Sequence, residues 1–279
     1  ITITAAGNAA ASTIVGTDQD DVITGGAAGD TLTGGDGIDT MTGGAGVDAF
    51  NVDDGADVIA DFGLASEVDT IAITAGATVA VAVPATYAAT ATTDIANSAA
   101  AADVVFTLAS GVDFSAAAST ATTAGITITA AGNAAASTIV GTDQGDVITG
   151  GSSTDTVTGL AGIDTFTSTA GTMTISDLAV GGVADVVVNA STGVVAATAT
   201  GAWTPLATTI NNATAANFTV NVASAGAVDL TSAGTVNGYT VVSTGTSAVT
   251  GSAQADALTN TSGGATFIGL AGIDTFTST

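Results

Sequence analysis

Aspartate recurs at every ninth residue in the first part of the chain, always behind glycines. Residues 34–51, GGDGIDTMTGGAGVDAFN, hold two copies of one phrase, G-G-x-G-x-D-x-U-x, in which U is a large apolar residue. Asp39 and Asp48 fill its sixth position, and Met41 and Phe50 fill its eighth. Glycine permits positive φ, so the turn can direct carbonyl oxygens inward while the aspartate closes the cage. Calcium takes six to eight oxygen ligands of this kind, so the phrase predicts a calcium site.

The composition supports a bound cation. The 279 residues include no Lys, Arg or His, the formal net charge is −25, and Glu67 is the one acidic residue that is not Asp. Such a charge opposes compaction, yet 46% of the residues are hydrophobic, which argues against a disordered chain. Bound cations reconcile the two. Nucleic acid is excluded as a partner because no side chain can neutralise a phosphate.

Further classes are disfavoured by what the chain lacks. There is no Cys, so disulfides are excluded, and a cage without His or Cys disfavours zinc and copper. We find no apolar run of transmembrane length and no signal peptide. The chain opens on Ile1 without an initiator Met, and we therefore expect it to be processed or an excerpt.

A long repeat contains the short one. ITITAAGNAAASTIVGTDQ at 1–19 returns at 126–144, and GLAGIDTFTST at 159–169 returns at 269–279. The tract VIADFGLASEVDTI (58–71) aligns with TISDLAVGGVADVV (174–187), and Tyr87 aligns with Trp203. The chain is therefore two copies of one unit and the start of a third, which is a repeat architecture.

The nonapeptides run in register within each copy. Their sixth positions are Asp21, Asp30, Asp39, Asp48 and Asp57, then Asp146, Asp155 and Asp164, with Asp256 and Asp274 in a decaying third copy. Their eighth positions, which we expect to point into the core, are Ile23, Leu32, Met41, Phe50 and Ile59, then Ile148, Val157 and Phe166. We interpret Asp18, Asp20, Asp36 and Asp143, and separately Asp94, Asp103, Asp113 and Asp229, as solvated turn residues.

The segments between the nonapeptides favour β structure. Partial alternation and β-branched residues predict strands at 78–84, 103–114, 218–223 and 239–242. The run IANSAAAA at 95–102 predicts a short helix, with Asp94 as its N-cap.

The nonapeptides resemble the hemolysin-type calcium-binding (RTX) repeats of secreted bacterial proteins, over 16–72 and 141–187 and more weakly over 251–277. The resemblance implies a right-handed parallel β-roll in which each calcium ion lies between a turn and the turn two repeats on. Asp21 would then share ions with Asp39, Asp39 with Asp57, and Asp30 with Asp48. The tracts after the nonapeptides resemble the closing turns of such rolls, where ligand and simple cap are both open for Asp61, Asp69, Asp177 and Asp185.

Some turns depart from the pattern. The fourth-position glycine is replaced by Gln19, Ala28, Gln144 and Ser153, and the second-position glycine by Leu160 and Leu270. We expect weaker calcium sites at these turns.

We therefore predict an all-β, elongated repeat architecture in which parallel β-roll segments alternate with Ala/Thr/Val-rich β spacers. The predicted segments are a roll at 1–75, a spacer at 76–125, a roll at 126–190, a spacer at 191–245 and an incomplete roll at 246–279.

Catalysis is disfavoured because a Ser–Asp pair without an activating base has no route to nucleophilic attack, and because the well-patterned carboxylates belong to calcium phrases. Two non-enzymatic functions remain. One is an accessory or stalk region of a larger secreted adhesin, toxin or hydrolase. The other, which the recurring spacers favour, is a calcium-dependent structural protein of the bacterial cell surface. The composition also resembles calcium-dependent S-layer proteins. Ice binding by Thr-x-Thr pairs such as Thr31/Thr33 is a minor alternative, since Thr suits any strand surface.

The predicted partners follow from that choice. They are calcium and further copies of the chain, with no membrane span and a glycan anchor left open. The third roll stops at Thr279 without a closing tract, and an unpaired strand edge is a template for another chain. We therefore expect head-to-tail stacking on residues 1–7 of the next copy, outside the cell.

Overall fold

A computed structural model describes residues 1–90, 94–99, 104–119, 122–180, 184–190, 192–214, 217–222, 226–234 and 237–278. The chain divides into two compact units. Unit 1 contains Ile1–Ala130 and Ser137–Val147, and unit 2 contains Ala131–Ala136 and Ile148–Thr279.

Unit 1 begins as a two-sheet parallel roll. Consecutive strands alternate between the sheets, so each strand pairs with the strand two positions on. The strands are β1 (Thr2–Thr4), β2 (Thr13–Val15), β3 (Val22–Thr24), β4 (Thr31–Thr33), β5 (Thr40–Thr42), β6 (Ala49–Val52), β7 (Ala56–Ile59), β8 (Thr70–Ile73) and β9 (Thr78–Val83). Odd-numbered strands form one sheet, and β2, β4, β6 and β8 form the other.

The alternation gives the roll two turn edges. The first edge carries the turns that follow the even-numbered strands, at 16–21, 34–39 and 53–55. The second edge carries the turns that follow the odd-numbered strands, at 5–12, 25–30, 43–48 and 60–69. Among the described residues of the roll, the one helical segment is a 3₁₀ turn at Leu64–Ser66, which lies on the second edge.

The apolar eighth residues form the core of the roll, as the nonapeptide register predicts. Ile23 pairs with Met41 and Met41 with Ile59 in one sheet, while Leu32 pairs with Phe50 in the other. All of them are at most 1% exposed. Parallel pairing in this register stacks each apolar residue on the one eighteen positions away, so the core is a column of like residues.

The spacer of unit 1 has three faces instead of two. After β9 the chain forms β10 (Tyr87–Ala88), β11 (Ile95–Asn97), β12 (Val104–Leu108), β13 (Phe114–Ser115), β14 (Thr127–Thr129) and β15 (Thr138–Val140). Strands β12 and β14 continue the odd-numbered sheet, β11 joins the even-numbered sheet, and β10, β13 and β15 build a third sheet. Tyr87, Phe106 and Phe114 fill the wider interior, with ring centroids of Phe106 and Phe114 5.1 Å apart.

The helix predicted at 95–102 is wrong where the structure describes it. Residues 95–97 form strand β11, and Ile95 of this strand pairs with Ile71 of strand β8. The backbone groups of β8 therefore decide this segment, and they outweigh the helix propensity of its alanines. Residues 100–102 lie outside the described residues.

Unit 2 has the same parallel construction. Strand β16 (Val147–Thr149) lies at the division of the units, and the remaining strands are β17 (Thr154–Thr158), β18 (Thr165–Ser168), β19 (Thr172–Leu178), β20 (Val186–Asn189), β21 (Val194–Ala199), β22 (Ile210–Asn211), β23 (Phe218–Val222), β24 (Val228–Asp229), β25 (Thr240–Ser243), β26 (Ala248–Thr250), β27 (Ala257–Asn260), β28 (Thr266–Ile268) and β29 (Thr275–Ser278). One sheet runs β18-β20-β22, a second runs through every odd-numbered strand from β17 to β29, and a third runs β24-β26-β28.

The all-β parallel solenoid that the sequence predicts is therefore confirmed. The strand predictions at 78–84, 218–223 and 239–242 correspond to β9, β23 and β25, whereas 103–114 divides into β12 and β13. In the described part of the chain, no helix has the length and apolar character to span a bilayer.

Candidate metal centre

The glycine turns have the backbone that the nonapeptide requires. Gly37, at a fourth position, has φ 118° and Gly35, at a second position, has φ 97°, which confirms the positive φ expected there. A Cβ atom at Gly37 would lie 2.8 Å from the carbonyl carbon of Gln19. Only glycine therefore lets this turn approach the turn two repeats earlier so closely.

On the first edge, the aspartates form a hydrogen-bonded ladder. The backbone N–H of Asp21 donates to Oδ1 of Asp39 at 2.8 Å, and that of Asp39 donates to Oδ1 of Asp57 at 3.0 Å. Each carboxylate thus joins its own turn to the turn eighteen residues before it. The pairing of Asp21 with Asp39 and of Asp39 with Asp57, which the resemblance implies, matches this geometry.

The second edge carries a parallel ladder. The N–H of Asp30 donates to Oδ1 of Asp48 at 2.8 Å, and that of Asp48 donates to Oδ1 of Asp69 at 2.9 Å. The other oxygen of Asp30 accepts the N–H of Gly26, in its own turn, at 2.5 Å. The sequence therefore identified both stacks, and the structure adds Asp69 to the second one.

Asp21 pairs with the N-terminal ammonium group of Ile1, but the other described carboxylates of the two ladders are buried without a cationic partner, which makes their charges electrostatically costly. Asp39 is 0% exposed and Asp57 is 1% exposed, and Oδ2 of each is buried without a hydrogen-bond partner. Burial raises the pKa of Asp48 to about 7 and that of Asp57 to about 6; it also raises the pKa of Asp39 and of Asp69. Removal from water disfavours the charged form, so each ladder calls for a compensating positive charge.

The available ligand atoms fit calcium. A Cβ atom at Gly16 would meet both the carbonyl oxygen of Gly34 and Oδ2 of Asp21, and one at Gly25 would meet the carbonyl oxygen of Gly43 and Oδ2 of Asp30. Carbonyl oxygens of one turn thus adjoin the carboxylate of the turn two repeats away. No three carboxylates converge on one point in the described part of the chain. Calcium accepts backbone carbonyls alongside few carboxylates, so such a trio is not required.

The two closing tracts have the same hydrogen bonds. Asp61 accepts the N–H groups of Gly43 and Gly44, both at 2.9 Å. Its equivalent Asp177 accepts those of Gly159 at 3.1 Å and Leu160 at 2.8 Å. In the metal-free geometry these two carboxylates cap the preceding glycine turn, and their role as ligands stays a prediction.

Each closing tract ends on an aspartate that accepts hydrogen bonds at its carboxylate and at its backbone carbonyl oxygen. Asp185 accepts the N–H of Asp164 at 3.0 Å and that of Ala179 at 2.6 Å, as Asp69 accepts those of Asp48 and Gly63. The indole N–H of Trp203 donates to the carbonyl oxygen of Asp185 at 3.1 Å.

The equivalent aromatic residue in the first copy has the same role. The hydroxyl of Tyr87 donates to the carbonyl oxygen of Asp69 at 3.0 Å. Tyr87 is 1% exposed and Trp203 is 0% exposed. The sequence alignment of these two residues therefore reflects a shared structural role. In each copy a buried ring of the spacer donates a hydrogen bond to the backbone carbonyl of the last aspartate of the closing tract.

Of the remaining sixth-position aspartates, four are buried and one, Asp274, is half-buried; the buried ones are Asp146, Asp155, Asp164 and Asp256. Asp146 accepts the N–H of Thr142 at 2.6 Å and that of Ile126 at 2.8 Å, and burial raises its pKa to about 6. Asp155 accepts the N–H of Gly151 at 2.7 Å. In the third copy, the N–H of Asp256 donates to Oδ1 of Asp274 at 3.0 Å, so the ladder geometry persists where the sequence decays.

Asp94 was missed as a site residue. It is 4% exposed, so its interpretation as a solvated residue is wrong, and with the helix its N-cap role is also wrong. Its Oδ2 accepts the N–H of Thr90 at 2.6 Å, just as Asp21 and Asp146 accept the N–H of Thr17 and Thr142 four residues earlier. The shared spacing T-x-x-x-D is the sequence signal that could have identified it.

Hydroxyl groups replace carboxylates in the spacers. The N–H of Ile95 donates to Oγ of Ser119 at 3.1 Å, and that of Val187 donates to Oγ1 of Thr209 at 3.2 Å. Both acceptors are at most 1% exposed. A neutral hydroxyl satisfies the backbone donor without a buried charge, so these two hydrogen bonds need no ion nearby.

The other aspartates fall mostly where the sequence indicates. Asp18, Asp20, Asp36, Asp113 and Asp143 are exposed, and Asp229 is half-buried. Asp103 lies outside the described residues.

Two departures from the glycine pattern carry a conformational cost. Leu160 has φ 75° and Leu270 has φ 70°, so both keep the left-handed backbone that glycine would adopt freely. The non-glycine fourth positions, by contrast, lie outside the left-handed region.

Comparison with known families agrees with this geometry. The family of the RTX calcium-binding nonapeptide repeat (4 copies) matches residues 6–41, 24–59 and 132–166. None of the curated proteins compared with the chain matches it. The match supports an RTX repeat protein, and RTX repeats bind calcium; that the buried carboxylate ladders hold the ions stays a prediction.

Proposed function

We propose that the protein is a calcium-dependent structural protein of the bacterial cell surface, such as an S-layer, sheath or extracellular filament subunit, and that it has no catalytic role. RTX repeat proteins are typically secreted, which supports an extracellular location. The observation that carries the proposal is the alternation of charged and neutral rungs. Carboxylate ladders with the unpartnered oxygens of Asp39 and Asp57 give way to the hydroxyls of Ser119 and Thr209.

This alternation suits a protein that folds and assembles only after it has left the cell. Without ions, like charges in the ladder oppose folding, so the free energy of calcium binding becomes free energy of folding. Extracellular calcium modules have dissociation constants of about 10⁻⁴–10⁻³ M. The chain therefore folds on export, and the spacers, in which the hydroxyls of Ser119 and Thr209 take the place of carboxylates, recur to separate successive rolls.

Two measurements on the purified chain test the proposal. Circular dichroism is expected to show little β structure in chelator and a cooperative gain at millimolar calcium. Electron microscopy with calcium is expected to show ordered assemblies that chelator dissolves. A β spectrum unaffected by chelator contradicts the calcium requirement. A calcium-folded chain that stays monomeric contradicts the assembly and leaves a stalk or accessory region. The head-to-tail route stays a prediction.

A further inference from the structure

The two edges of the first roll differ in charge at their exposed positions. On the first edge the exposed side chains include five carboxylates, Asp18, Asp20, Asp36, Asp53 and Asp54. On the second edge the exposed side chains that the structure describes in the turns at 25–30, 43–48 and 60–69 are apolar. They include Ala27, Ala45, Val47, Leu64 and Ala65.

The acidic residues of the second edge are turned inward. Asp30 and Asp48 are each 2% exposed, and Glu67, which is half-buried, accepts the N–H of Gly46 at 2.8 Å. Val47, in contrast, is 58% exposed and Leu64 is 37% exposed. Turns favour Gly, Asn, Asp and Ser, so the calcium phrase does not account for Ala and Val at these positions.

From this asymmetry we propose that the second edge of the first roll is a contact surface between two copies of this chain. The proposal rests on the proposed function, because it names the surface through which a self-assembling protein associates. Two second edges face each other across a two-fold axis, which is the commonest symmetry of protein dimers.

The occupant we propose is a second copy of this chain, and the composition determines which edge that copy can use. The chain has no Lys, Arg or His and a net charge of −25, so two copies cannot form side-chain salt bridges. Contact through the first edge would place exposed carboxylates against those of the partner, well within the Debye length of about 8–10 Å. Interface cores are depleted in charge, and the second edge meets that requirement once calcium neutralises Asp30, Asp48 and Asp69 behind it.

The structure provides a closely matched pair of variants. Val47 and Ile38 both occupy the fifth position of a nonapeptide, and they are 58% and 57% exposed. Val47 lies on the second edge and Ile38 on the first. Aspartate is compatible with this position, since Asp20 holds it in the first turn. Val47→Asp and Ile38→Asp therefore add the same charge at the same local site on opposite edges.

The test is sedimentation velocity of the full chain over a concentration series. Calcium is held at about 10 mM, roughly tenfold above the usual range for extracellular modules. We expect wild type to associate, Val47→Asp to weaken association at least tenfold, and Ile38→Asp to change it less than twofold. The calcium midpoints by circular dichroism should agree within twofold, which separates association from folding. Ala45→Asp, which copies Asp36 of the first edge, replaces Val47→Asp if that variant does not fold.

The outcomes separate the surface from the function. If wild type assembles and both second-edge variants assemble equally well, or if Ile38→Asp weakens association as much, the surface is wrong and the structural role stands. If wild type stays monomeric when folded in calcium, both the surface and the proposed self-assembly are refuted.

Discussion

Asp39→Asn is the substitution for which the structure predicts opposite effects with and without calcium. Asparagine keeps Oδ1 as the acceptor for the N–H of Asp21, which Asp39 now binds at 2.8 Å. It removes the charge at Oδ2, which is buried without a partner. In chelator the folded state no longer buries that charge. The amide nitrogen that replaces Oδ2 is still an unpaired buried group, but a neutral one, whose burial costs less than that of a charge; we therefore expect a gain of about 1 kcal/mol in unfolding free energy.

With calcium the sign reverses. Asp39 stands between Asp21 and Asp57 in the ladder, so it adjoins two of the implied ion positions. If each ion binds about tenfold less tightly, the loss is about 1.4 kcal/mol per ion and about 2.8 kcal/mol for the two ions. After the gain of about 1 kcal/mol from the lost buried charge, the calcium-loaded variant should be less stable than wild type by roughly 1.8 kcal/mol.

The assay is urea unfolding followed by circular dichroism, in chelator and at saturating calcium. Asp36→Asn is the control, because Asp36 is exposed in the same turn and loses the same formal charge. It should change both free energies by no more than about 0.5 kcal/mol, as surface substitutions usually do. The reasoning is refuted if Asp39→Asn is destabilising in chelator, or if Asp36→Asn weakens calcium binding as much as Asp39→Asn does.

Four further outcomes are expected. Burial raises the pKa of Asp48 to about 7 and of Asp57 to about 6, from 3.8. In chelator, the stability that these two protonated groups contribute should therefore be fully present below about pH 4 and should be lost as pH rises through 6–7. A pH titration in chelator checks this, and a transition centred near pH 4 contradicts it. Gly37→Val should lower the unfolding free energy of the calcium-loaded roll by about 1–3 kcal/mol through backbone strain. Urea unfolding measures this change, and an unchanged midpoint contradicts it. Leu160→Gly relieves a left-handed leucine and should raise the melting temperature in calcium, since the strain of about 1–2 kcal/mol exceeds the entropic cost of glycine; a lower melting temperature is the contrary result. Tyr87→Phe removes the hydrogen bond to the carbonyl of Asp69 and should cost about 1 kcal/mol in urea unfolding with calcium; no loss would mean that the ring alone fixes the closing turn.

The periodic part of the fold could be predicted because the period itself carries the information. A nine-residue phrase repeated in register places Ile23, Met41 and Ile59 in one column, and parallel pairing makes each aspartate the neighbour of the one eighteen residues away. The candidate calcium ligands were predicted from the same count, and their role as ligands stays a prediction. No knowledge of side-chain contacts was needed, because every turn repeats the last.

The spacers could not be predicted in the same way, since their turns differ in length and have no phrase. Residues 95–97, which are Ile, Ala and Asn, are strand because β8 offers them a backbone partner, and sequence periodicity cannot show that partner. Asp94 was missed for the same reason. Its turn lacks the glycines, and only its hydrogen bond to Thr90 relates it to Asp21. Ser119 gave no signal, because a buried hydroxyl acceptor and a surface serine look alike in sequence.

The preference for aspartate over glutamate follows from the ladder. Each carboxylate must reach the N–H of its neighbour in the ladder while its own backbone N–H donates to the next carboxylate, and both oxygens lie inside a turn only six residues long. The longer side chain of glutamate would carry the carboxylate past that interior. Glu67 fits this account, because it reaches from the loop at 60–69 to the N–H of Gly46 at 2.8 Å, outside the ladder. A chain that folds around calcium therefore needs short acids inside its turns and no basic side chain to compete for them, which is the composition observed.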